Sequence, residues 1–233
     1  IRGLVGSEMC IRDRFCDKVG IPFDVYTFTN DYKIPSAEER ELGEVNTFDL
    51  GSNFNMVNIL TSRVNRKTLT KQLERIFMIA SMFSHGVYNA VPRCMSLSGT
   101  PLNEAILTLH KIIPEFQERN NVQKVHTILL TDGEAGQTRI IKEGRDGRDG
   151  KWVGRIPMEA AYLRNRKTGI TRRIEGFSTT KDFLEDLRDT FPNSTFTGFR
   201  ILESGGSWFI RQAVNYDQTV SYTHLRAHET AYY

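Results

Sequence analysis

Two stretches of the chain carry apolar residues at alternating steps of four and three, the spacing that lines up side chains on one face of a helix. In residues 67–84 these are Leu69, Leu73, Ile76, Ala80 and Phe83, and Phe77, Ile79 and Met82 widen the stripe. A stripe that wide predicts a largely buried helix rather than a surface one. In residues 101–116 they are Leu102, Ile106, Leu109, Ile113 and Phe116, with Pro101 suited to the first helical position and Thr100 to the N-cap. A shorter helix is predicted over residues 180–190, with Phe183, Leu184 and Leu187 inward, and a closing helix is predicted to start at Trp208 and run to Val214. Residues 15–20 read as the last turn of a helix, with Gly20 as the residue that ends it.

Apolar runs predict a central strand buried on both faces at residues 21–29, a second buried strand at 124–131 and a third strand at 194–202. Residues 161–174 predict a β-hairpin turning at Lys167, Thr168 and Gly169. Residues 30–66 read as a polar, irregular excursion, and residues 144–150 as a flexible polar loop. Helix, strand, helix, helix, strand, hairpin, helix, strand and helix in that order predict an α/β fold. Its expected core is a doubly wound, mostly parallel sheet of Rossmann-like type with helices on both faces.

Composition agrees with a folded globular domain. Of 233 residues, 39% are hydrophobic and 25% charged. The net charge of +3 is too small to argue for nucleic acid, which needs a clustered basic face. No apolar run approaches the roughly 20 residues of a membrane span. The first residues, IRGLVGSEMCIRDR, lack the apolar segment of a secretory leader. Cys10, Cys16 and Cys94 are too few and too scattered for a disulfide framework, which fits a reducing, cytoplasmic setting.

Both ends resemble translated sequencing adapters: LVGSEMCIRDR at 4–14 and VSYTHLRAHET at 220–230. The native stretch is therefore expected at residues 15–219, with 1–14 and 220–233 foreign to it. His224 and His228 have the i, i+4 spacing of a zinc pair, but they fall in the adapter-like string and enclose no Glu.

Doubly wound sheets bind ligands at the carboxyl ends of their strands, and two segments point to that edge. Ser98-Gly-Thr-Pro-Leu102 enters a helix, and Ile128-Leu-Leu-Thr-Asp-Gly-Glu134 leaves a strand. Together they resemble two of the three elements of the metal-ion-dependent adhesion site of von Willebrand factor A (VWA) domains. The resemblance implies a magnesium ion with Thr100 as direct ligand, Asp132 as the carboxylate that binds it, most often through water, and Ser98 in an assisting position. A hard divalent cation takes hydroxyl, carboxylate and water oxygens of this kind. Taken singly, Thr100 is equally compatible with a plain helix cap and Asp132-Gly133 with an ordinary turn. The family's first element, Asp-x-Ser-x-Ser after the first strand, is absent from the sequence and is expected upstream of it, so the first strand is expected to be missing.

Residues 15–219 resemble more particularly the VWA domain of cobalt-chelatase T-subunit-like proteins, in the form carried by T4-like marine phages. The resemblance rests on residues 15–29, on Ser98 to Ala105 and on Thr131-Asp-Gly-Glu134. It implies a metal-dependent protein-interaction module whose partner is a ring-forming AAA+ ATPase, without intrinsic catalysis. The chain itself has no Gly-x4-Gly-Lys-Ser/Thr phosphate loop. A peptidase-like hydrolase is the alternative, though neither His-Glu-x-x-His nor Gly-x-Ser-x-Gly occurs. A virion or surface adhesion protein using the same site is another. Glu134 reads as a solvated loop residue, Cys94 as an inert thiol, and His85, His110 and His126 as structural or surface residues without ligand spacing. The Arg164, Arg166, Lys167, Arg172 and Arg173 cluster reads either as a solvated hairpin face or as a partner surface.

Overall fold

The computed structural model describes residues 20–30, 41–51, 53–95, 99–131, 135–145, 148–156, 161–174 and 179–201. Three helices are found among them: α1 (Arg66–Ser84), α2 (Leu102–Asn120) and α3 (Thr179–Thr190). The strands are β1 (Asp24–Asn30), β2 (Phe48–Asp49), β3 (Phe54–Thr61), β4 (His126–Thr131), β5 (Arg139–Arg145), β6 (Arg148–Arg155), β7 (Ala161–Arg164), β8 (Thr171–Ile174) and β9 (Thr195–Arg200). The expected closing helix at 208–214, the helix turn at 15–19 and both adapter-like ends lie outside the described residues.

The core forms around α2. Leu102, Ile106, Leu109 and Ile113 recur at one helical face and are buried, meeting Phe183 and Leu187 of α3, Leu163 and Ile174 of the β7–β8 hairpin, and Ile156. Burying each such side chain stabilises the fold by about 1.5–3 kcal/mol relative to leaving it in water. Phe48 adds an edge-on contact to Phe183, with ring centroids 5.2 Å apart. The helix ends at Asn121, whose φ of 52° closes the last turn in the left-handed region.

The fold mixes helices with parallel and antiparallel strand pairs. β4 and β9 are parallel, joined through the hairpins and α3, with Leu129 opposite Gly198 and Thr131 opposite Arg200. The other pairings are antiparallel: β1 with β3, β2 with β5, β5 with β6, and β7 with β8. The expectation of a mostly parallel sheet is thus met, among the described residues, in the β4–β9 pair alone. β1 was read as a central strand, but its only partner among the described residues is β3, and the two run antiparallel. The pairs β1–β3 and β4–β9 nevertheless face one core, since Phe28, Met56, Leu129 and Phe196 all pack against it.

Asp24, which opens β1, accepts a hydrogen bond from Arg119 in the last turn of α2 at 3.4 Å. β4 also starts just past that end of the helix. No ladder joins β1 to β4 among the described residues.

Three sequence-based expectations are corrected. Residues 54–61, assigned to an irregular excursion, form β3, and residues 139–145 and 148–155, assigned in part to a flexible loop, form the antiparallel β5 and β6. The α1 boundaries agree with the periodicity, and Asn65 caps the helix by accepting from Thr68 N at 2.9 Å. Its burial does not: Leu69 alone is buried, while Phe77 is 72% and Met78 55% exposed. The helix packs on β3, and a two-stranded β1–β3 sheet is too narrow to cover the remainder of its stripe. No helix among the described residues is long and apolar enough to cross a membrane.

Candidate functional site

The edge at which β4 and β9 end is built by three approaches of the chain. The ladder holds Thr131 against Arg200, and Ile201 N extends it by donating to Thr131 O at 2.8 Å. The chain enters α2 with Gly99 at φ 61° and Leu102 N donating to Thr100 O at 2.8 Å. The turn leading into the helix needs that left-handed φ, which glycine adopts without strain. The N-terminus of α3 provides the third approach.

Asn103 binds these approaches together. Its side chain is 1% exposed, and its Nδ2 donates to Gly136 O (3.2 Å), Thr138 Oγ1 (2.9 Å) and Thr179 Oγ1 (3.0 Å). Its Oδ1 accepts from Thr180 Oγ1 at 2.6 Å. An amide has two N–H donors, so three close acceptors share them, and the carbonyl is satisfied as well. The chain flanking residues 132–134 is therefore held on both sides, at Thr131 by the ladder and at Gly136 by Asn103.

Thr100 directly precedes Pro101 at the start of α2 and is half-buried. It does not cap α2: the helix starts one residue later than expected, Pro101 takes the N-cap position, and no side-chain hydrogen bond closes the first turn. The plain-cap reading of Thr100 is thereby set aside. Asp132, Ser98 and Glu134 lie outside the described residues. Asn103, three residues past Thr100, is thus bonded to Gly136, which follows the segment that carries Asp132. A threonine hydroxyl is the kind of hard oxygen donor that magnesium takes, so Thr100 fits the expected ion.

Glu104 follows in the first turn of α2, 9% exposed, and its Oε2 has no hydrogen-bond partner among the described residues. Burial pushes its carboxyl above the ordinary 4.5, and nearby Asp49 adds to this, while its own backbone and Arg139 pull the other way.

The histidines fall in separate places. His85 follows α1 with Nδ1 2.8 Å from Ser81 O, and His126 opens β4 with Nδ1 2.6 Å from Thr195 Oγ1. His110, on α2, donates from Nε2 to Asp186 Oδ2 at 3.1 Å. Burial holds its ring below the ordinary 6.5 with help from Lys167, against the pull of the Asp186 carboxylate. Cys94 is a half-buried free thiol in the short 3-10 turn Arg93–Met95.

Asn103, Thr138, Thr179 and Glu104 were not singled out from sequence. The signal that could have found Asn103 is its place between Leu102 and Ile106, where a polar side chain has to find internal partners. No family model matches the chain, and no curated protein or solved structure is detectably similar to it.

Proposed function

We propose that this chain carries a VWA-type domain that acts as a magnesium-dependent protein-interaction module, with an AAA+ ATPase of a chelatase-like or remodelling complex as its partner. The observation that carries the reading is the Asn103 tether, because it bonds the start of α2, three residues past Thr100, to Gly136, just past the segment that leaves the carboxyl end of β4. Ligands of open α/β sheets bind at the carboxyl ends of their strands.

Thr100 and Asp132 would hold the magnesium ion, which supplies an open position for a carboxylate from the partner. The chain's own residues do the positioning. Asn103 sets the spacing of the two loops, and the β4–β9 ladder fixes the strand end from which Asp132 leaves.

Thermal unfolding with and without magnesium tests the proposal. A ligand that binds the folded state alone stabilises it by about 1.4 kcal/mol at ten times its Kd. For a chain of this size that raises Tm by roughly 3–6 °C. Thr100→Val and Asp132→Asn are each expected to remove this increment while unfolding normally without the ion. An unchanged increment in both variants would overturn the reading.

A further inference from the structure

We draw no further inference here: the strongest candidate, the outward face of α1, where Phe77 is 72% and Met78 55% exposed, carries nothing because nothing among the described residues shows what covers it.

Discussion

Glu104→Gln is expected to make the protein more stable at neutral pH, an uncommon outcome for a buried position. The wild-type carboxyl is buried, its Oε2 lacks a hydrogen-bond partner among the described residues, and burial is the largest influence on its ionisation. An unsatisfied buried polar group costs about 1–3 kcal/mol, and more when charged. Against this stand the favourable interaction of a carboxylate with the first turn of α2, about 0.3–1 kcal/mol, and the attraction of Arg139, which is exposed and therefore screened. The neutral amide keeps the shape and removes the charge. The balance favours the variant by about 1 kcal/mol at pH 7, or roughly 2–4 °C in Tm. The sign with pH is fixed by linkage. A carboxyl raised above 4.5 in the folded state contributes stability that is present below 4.5 and lost as pH rises through the folded value. The gap between variant and parent should therefore be small at pH 4 and widen toward pH 7. Paired thermal melts across that range measure it. A variant less stable than the parent at pH 7, or a gap independent of pH, would refute the reasoning.

Two further outcomes follow from the polar groups around α2. Asn103→Ala leaves Thr138, Thr179, Thr180 and Gly136 O short of a partner and is expected to cost about 2–4 kcal/mol by denaturant unfolding. Hydrogen exchange at Gly136 and Thr138 should rise ahead of exchange in β4. His110, held below 6.5 by burial, contributes stability that is complete above 6.5 and declines as pH falls toward its folded value. His110→Gln should flatten this acid limb of the stability curve, and a limb unchanged by the substitution would exclude His110 as its source.

The helices were legible because their apolar steps are regular and their ends carry local signals. α1 begins within one residue of its expected start, and α3 likewise. The β7–β8 hairpin was legible from Lys167-Thr-Gly169, where Gly169 takes φ 76°. β3 was hidden because Asn55 and Asn58 interrupt its apolar positions, and a register shift between Val25 and Tyr26 breaks the alternation of its partner. β5 and β6 were hidden by their charge. They are held by cross-strand contacts such as Lys142 over the Trp152 ring, 5.3 Å to the centroid, which no single-strand pattern announces. The burial of α1 was overestimated because a periodic stripe reports which face is apolar, and not how much sheet is there to cover it. Within the candidate site, Thr100 was legible as a motif residue. The role of Asn103 was not, because its partners Gly136, Thr138, Thr179 and Thr180 lie 33 to 77 residues away.

The assignment of a metal site to the β4–β9 edge is tested most directly by manganese-induced relaxation of backbone amide signals, which reports even weak binding residue by residue. The expected result is early broadening at Gly99, Thr100, Thr131, Ala135 and Gly136, abolished by Asp132→Ala. Broadening concentrated instead on the acidic face of α3, at Asp182, Glu185 and Asp189, or a pattern at the β4–β9 edge that survives Asp132→Ala, would contradict it.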